Sequence, residues 1–352
     1  VGMGVLYAES QTNLRRAEAA EREAAREAET ATRTSDFLIG LFDSSNPEST
    51  SGETITAREV MDEGAERVRD ELADEPLTQA RLLHTLGKVY MSLALFDDSE
   101  RQIEDALALR REHLPEDHVE ISDTLHQLAR VTEKQGDPKR AVALYEETVA
   151  RYEALGAGGV DGLVDTLGNF GWLLGDLGEM DRAISYFDRA LELVLAVDPP
   201  DEERLISLYN NRASTAMNRG DFDLARQDLD RSLELARRIF GDHHHQTANV
   251  LTNLGVVNSK AGTPEGAEKY HLEALAIYER VYGEASPDVA RSVGNIAIVY
   301  AETGRFDQAL PYFRRSFEVQ EAIYGPDHPN VAQALTNLGL LNLQTGDPET
   351  AV

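Results

Sequence analysis

Five asparagines recur at intervals of 42 residues: Asn169, Asn211, Asn253, Asn295 and Asn337. In the two preceding intervals the column holds Thr85 and Gln127. An amide offers a donor and an acceptor together, which is what the main chain of an extended peptide requires. Asparagine is also a mediocre helix former, so a run of five in one helical column is not explained by helix propensity. The other reading is that each amide bonds the adjacent interval and fixes its stacking. The same helix face adds Arg81, Lys88, Arg130 and Lys134, diluted by Asp123, then Trp172, and further on Val256, Ile298 and Leu340. A groove of this composition is basic at its N-terminal end, polar in its middle and apolar at its C-terminal end. It suits an extended peptide or protein segment with acidic and apolar parts. Trp172, the single tryptophan, is expected either to anchor that ligand or to pack in the core.

Catalytic chemistry is not visible. The chain has no G-x-S-x-G, H-E-x-x-H or P-loop signature, and Gly2-Met3-Gly4 lacks the third glycine of a phosphate loop. With zero cysteines there is no disulfide framework, zinc–thiolate site or thiol nucleophile. His243-His244-His245 is the one metal-like run, but consecutive residues point apart, and His118 and His328 occupy equivalent turns, so a solvated turn is expected. No cofactor and no metal are called for. The 34 Lys and Arg against 63 Asp and Glu give a net charge of −29. That charge opposes a phosphate backbone and argues against nucleic-acid binding.

The elements that must carry these columns follow from the same period. Small residues recur at Gly87, Ala129, Gly171, Ala213, Gly255, Ala297 and Gly339. Seven positions on come Ala94, Gly136, Gly178, Gly220, Gly262, Gly304 and Gly346, and five further on Ser99, Ala141, Ala183, Ala225, Ala267, Ala309 and Ala351. Each interval reads as helix–turn–helix. Val250, Leu251, Leu254, Val257 and Asn258 lie at helical spacing, and Gly255 among them allows a close helix approach. Gly262 suits a left-handed C-cap, and Pro264 suits the first turn of the next helix.

These columns resemble the tetratricopeptide repeat, and the 42-residue length with Leu251-Thr252-Asn253-Leu254-Gly255 and Tyr324-Gly325-Pro326-Asp327-His328-Pro329 resembles the variant of kinesin light chains. The resemblance covers residues 80–352, six and a half repeats. It implies an all-α, right-handed superhelical solenoid in which each copy buries its apolar face against its neighbours. The asparagine column resembles the ladder in O-linked N-acetylglucosamine transferases. Two places depart from the pattern: Ala94 and Ser99 stand for Gly and Ala in the first copy, and Gly156-Ala157-Gly158-Gly159 replaces an acidic turn.

Ahead of the array, Thr56-Ala57-Arg58-Glu59 is a capping box opening a helix to about Leu72, so residues 56–79 read as a cap over the first repeat. Residues 43–55 form a Ser/Pro/Gly linker and residues 8–42 an Ala/Glu/Arg helix. Val1–Tyr7 reaches only about 10 Å as a helix, too short to span a bilayer alone. The run Ala17–Glu29, Ser35-Asp36-Phe37-Leu38-Ile39-Gly40-Leu41-Phe42, Gly52–Glu59 and Gly64-Ala65-Glu66-Arg67 is similar to the region after the membrane span in bacterial serine/threonine kinases carrying tetratricopeptide arrays. That resemblance spans residues 1–115. It implies that residues 1–42 are the end of a span plus a juxtamembrane stalk, that the array faces outward, and that the kinase lies upstream. A freestanding cytoplasmic peptide-binding adaptor is the alternative; in either case this stretch is not itself an enzyme.

Overall fold

The computed structural model describes residues 56–345, and the readings made on residues 1–55 and 346–352 lie outside them. Fourteen α-helices and one short 3-10 turn are present among the described residues. The first, α1 (Ala57–Glu71), is followed by seven first-of-pair (A) helices: α2 (Pro76–Ser92), α4 (Val119–Lys134), α6 (Val160–Asp176), α8 (Glu202–Arg219), α10 (His245–Lys260), α12 (Pro287–Glu302) and α14 (Pro329–Thr345). Six second (B) helices alternate with them: α3 (Phe96–His113), α5 (Pro138–Leu155), α7 (Met180–Leu195), α9 (Phe222–Phe240), α11 (Pro264–Tyr282) and α13 (Phe306–Tyr324). Every B helix starts 42 residues after the one before. The architecture is an all-α solenoid of helix–turn–helix repeats, with α2/α3 as repeat 1 and α14 opening repeat 7.

The period survives because each boundary has a local physical cause. Gly136, Gly178, Gly220, Gly262 and Gly304 have φ between 73° and 87°, the left-handed region that ends an A helix and that glycine enters without a Cβ penalty. Ala94 holds the same place in repeat 1 at φ 57°. Thr56 and Glu59 form the expected reciprocal capping box, and the Thr56 amide donating to the Glu59 carboxylate keeps that group below its ordinary pKa. The three turn histidines are caps too: Nδ1 of His118, His244 and His328 accepts from the amides of Glu120, Gln246 and Asn330 at 3.2–3.3 Å. His244 and His328 stack on Phe240 and Tyr324, the residues that end the preceding B helices.

The chain divides into two compact units, Val1–Leu163 and Val164–Val352. In the first, α1 packs over repeat 1 with Val60, Met61 and Val68 against Leu82, Leu83 and Leu86. Arg58 to Asp98 at 2.9 Å and Arg69 to Asp105 at 2.6 Å tie α1 to α3, as if it were the B helix of a preceding repeat. The anomalous Gly156–Gly159 forms the 3-10 turn leading into α6. A Cβ at Gly159 would lie 2.7 Å from the Tyr152 carbonyl oxygen, so this connection is too tight for a side chain. In the second unit Leu229, Leu251, Leu254, Val257, Tyr278, Val293 and Ile296 form the centre of one continuous core.

Candidate functional site: the A-helix face

Successive A helices touch directly within each unit, α2 on α4 in the first and α8 on α10 on α12 in the second. Neighbouring B helices are instead bridged by long charged side chains, so the A helices line the inner side. The second unit contains all five asparagines, Trp172, Val256, Ile298 and Leu340; the first contains the four cations.

In the second unit the five asparagines are half-buried. Asn253 Nδ2 donates to Asn210 Oδ1 of the adjacent repeat at 2.8 Å, so one amide proton is used in stacking while its carbonyl remains available. Asn337 Oδ1 accepts from Gln333 at 3.1 Å. Among the described residues no hydrogen bond engages the side-chain amide of Asn211 or Asn295, although the Asn211 main-chain carbonyl accepts from Thr215 at 3.2 Å. Around the column stand more amides, Asn210, Gln246, Asn249, Asn330 and Gln333. Two ion pairs interrupt them, Arg291 to Asp288 at 2.7 Å and Arg204 to Asp165 at 3.2 Å. In a chain of charge −29 this face is close to neutral. Trp172 is 41% exposed, Ile298 39% and Leu340 55%, with Val256 half-buried beside them. These are apolar groups at the surface rather than in the core.

In the first unit Lys88 and Lys134 are exposed, the latter 3.2 Å from its neighbour Glu133. Arg130 donates to Gln127 at 3.2 Å. Arg81 does not stand with them as a free cation: it pairs with Glu120 at 3.2 Å. Glu120 also pairs, at 3.1 Å, with Arg110, which is buried and donates to Thr124. Burial, reinforced by the Arg110 charge, pushes the nearby His84 down to about 3, and burial takes His126 to about 4. This network joins repeats 1 and 2, and the sequence columns gave no sign of it beyond Arg110 standing where later repeats have Tyr152 and Tyr278. Asp123 is partly spent as well, accepting the Tyr152 hydroxyl at 2.5 Å.

A tetratricopeptide repeat profile matches residues 78–154, 204–280, 257–321 and 288–352, more than half of the chain, and a second such profile matches 164–193. The chain belongs to the tetratricopeptide repeat family. As a tetratricopeptide array it is a scaffold for protein–protein interaction, a non-catalytic fold type. No curated protein matches it in sequence. Among solved structures the array is similar to the apo form of RapI, at 13% identity and TM-score 0.63 over 91% of this chain and 83% of that one. It is similar to BtubC (BKLC) from P. vanneervenii, at 22% and 0.54 over 61% and 86%. A signal transduction ATPase with numerous domains and a tetratricopeptide repeat sensor, from Pyrococcus horikoshii, matches at 14% and 0.58 over 86% and 46%. At these identities the likeness is one of fold. Among the described residues of the array no cluster of three His, Asp or Glu could hold a metal ion, and no helix is long and apolar enough to cross a membrane.

Neighbouring B helices are also joined by a ladder of ion pairs that follows the repeat. Arg69, Arg111 and Arg237 occupy one B-helix column and pair with Asp105, Glu147 and Glu273, each 36 residues on. At Glu279 and Arg315 the pair is kept with its signs exchanged, at 2.5 Å. Comparing charge signs at a spacing of 36 would have exposed it.

Proposed function

We propose that the array binds an extended polypeptide segment along its inner face, chiefly through the main chain of that segment. The observation that carries this reading is the amide-rich, nearly neutral surface of repeats 4 to 7, where Asn211, Asn253, Asn295 and Asn337 repeat at the A-helix spacing. A neutral amide track pairs with peptide N–H and C=O groups regardless of side chain, whereas a charged face would select for charge. Trp172, Ile298 and Leu340 supply apolar contact along the same face of the second unit; the A-helix face of the first unit, taken by itself, offers Lys88, Arg130 and Lys134 to acidic residues.

The test is a titration of candidate extended peptides followed by Trp172 emission. Binding should shift the emission, and Asn253→Ala with Asn295→Ala should weaken it about tenfold, on the scale of one or two lost hydrogen bonds. A bound peptide indifferent to that double variant rules out the amide track.

The resemblance of residues 1–115 to the segment after the membrane span of bacterial serine/threonine kinases supports a wider setting, in which the array is the regulatory region of such a kinase. Sequencing the gene upstream of Val1 tests it. Kinase motifs followed by an apolar span are expected; a nearby start codon with polar residues would make the array a freestanding adaptor.

A further inference from the structure

Two pockets open on the inner face of the second unit, and they are the same pocket two repeats apart. One, of about 250 Å³ between repeats 4 and 5, is lined by Ser207, Asn210, Gln246, Asn249, Thr252 and Asn253. The other, of about 390 Å³ between repeats 6 and 7, is lined by the residues 84 positions on, among them Arg291, Gly294, Asn330, Gln333 and Asn337. Arg291 lies at the rim of both.

One B-helix column accounts for which notches are open. It reads Arg110, Tyr152, Val194, Ala236, Tyr278 and Gln320. At the notch between repeats 5 and 6, Tyr278 is fully buried; its hydroxyl donates to Asn249 at 2.6 Å and lies 3.5 Å from Arg291 Nη2. Tyr152 makes the corresponding bond to Asp123, and Arg110 reaches Glu120 and Thr124 across the notch between repeats 1 and 2. Between repeats 3 and 4, Val194 is buried and Arg204 pairs with Asp165 at 3.2 Å. Ala236 is too short to reach the inner face, and Gln320 lines its pocket without filling it. The two open notches flank the one that Tyr278 closes.

Their chemistry differs. The first is walled mainly by uncharged polar side chains, with Ile206, Val250 and Arg291 completing its lining. The second has the smaller Ala290 and Ala334 where the first has Ile206 and Val250, and it adds Ile298 and Phe313, so it has room for an apolar side chain with amides, Asp288 and Arg291 around it. Packed helices lie about 8–10 Å apart, so pockets two A helices apart are separated by roughly 16–20 Å. An extended chain covers that distance in about six residues, and side chains six apart point to the same side.

We propose that these notches are paired side-chain pockets for one extended peptide, the first taking a small polar side chain and the second a bulky apolar one about six residues away. The proposal rests on the main-chain reading above and adds the register and the anchor types. Ser207, Asn249 and Gln333 become specificity-determining residues under it, with Tyr278 as the spacer that keeps the two anchors apart.

The experiment is selection of displayed random 12-residue peptides on the 352-residue chain, with binding of the enriched peptides measured by fluorescence anisotropy. Enriched peptides should carry a bulky apolar residue about six positions from a small polar one. Ala236→Tyr and Gln320→Tyr, which insert the residue this column already holds at Tyr152 and Tyr278, should each weaken them about tenfold or more, as for loss of a buried anchor. Tyr278→Ala, which opens the middle notch, should admit peptides whose same-side anchors are closer than about six residues, and it keeps the test decisive if a tyrosine insertion does not fold. Peptides that bind the tyrosine-filled variants as well as the parent, with no change of preferred spacing on Tyr278→Ala, overturn the pocket proposal. If those peptides are still lost with Asn253→Ala and Asn295→Ala, the main-chain reading stands without it. Indifference to all these variants, or no enrichment at all, overturns both.

Discussion

Arg212 and Asp228 form a bidentate ion pair inside repeat 4, Nε to Oδ2 at 2.7 Å and Nη2 to Oδ1 at 2.6 Å, with Asp228 fully buried. Asp188 of repeat 3 accepts from the remaining guanidinium nitrogen. One repeat later the same two positions are Leu254 and Tyr270. The pair therefore replaces an apolar contact that the fold does not otherwise need to vary. Breaking it by Asp228→Ala leaves the buried guanidinium with only the half-exposed Asp188 as partner and should cost about 3 kcal/mol, the low end for a broken buried ion pair. Replacing both, Arg212→Leu with Asp228→Tyr, copies repeat 5 and should be close to neutral or stabilising, measured by urea unfolding.

Ala94 offers a stabilising change. Its φ of 57° puts a Cβ in a region where L-residues are strained by about 1–2 kcal/mol, and the five equivalent positions from Gly136 to Gly304 are glycine. Part of the relief is offset by the greater freedom glycine gives the unfolded chain. Ala94→Gly should raise stability by about 0.5–1 kcal/mol, and thermal unfolding of the two proteins side by side reads it directly.

Much of this molecule was legible because its period is free of slips. The glycine and alanine columns place the turns, and the structure starts every B helix on the same 42-residue grid. The capping box at Thr56 and Glu59 needed only local sequence. Individual exceptions were harder to see, because they are pairwise. Arg212 looks like any surface arginine until Asp228, 16 residues away, is known to face it. Arg81 counted as a groove cation until Glu120 of the next repeat was seen to neutralise it. For Trp172 the column fixed the helix face but not the depth, which depends on how closely neighbouring helices pack. The histidine turn read as solvated spacing, whereas His118, His244 and His328 cap helices through a ring nitrogen that a sequence pattern does not orient.

His271 carries the acid response of repeat 5. It is 1% exposed, a Cβ at Gly255 would lie 2.3 Å from its ring, and its Nδ1 has no hydrogen-bond partner. The equivalent residues are Leu229 and Phe313. Burial lowers its pKa from 6.5 to about 4, so the unfolded chain takes up a proton at a higher pH than the folded one does. Stability is then full above about pH 6.5 and falls as pH drops toward 4, by roughly 3 kcal/mol from this residue. His271→Leu should flatten that part of the profile. His84 and His126 slope the same way in the first unit, so the variant is best judged by the difference in unfolding free energy between pH 7 and pH 4.5.

The exchanged pair at Glu279 and Arg315 shows which feature of the B-helix ladder is constrained: opposite signs, not which helix carries which. Arg237 and Glu273 are about a third exposed, so solvent screens them and the pair contributes less than about 1 kcal/mol. Arg237→Glu alone sets like charges against each other between repeats 4 and 5 and should destabilise by up to about 1 kcal/mol. Adding Glu273→Arg restores opposite signs in the order used at Glu279 and Arg315, and should recover most of the loss. A double-mutant cycle at low and high salt checks it: the coupling should shrink as ionic strength rises, because exposed charges are screened. A coupling near zero at low salt would mean that the ladder marks helix proximity without stabilising the stack.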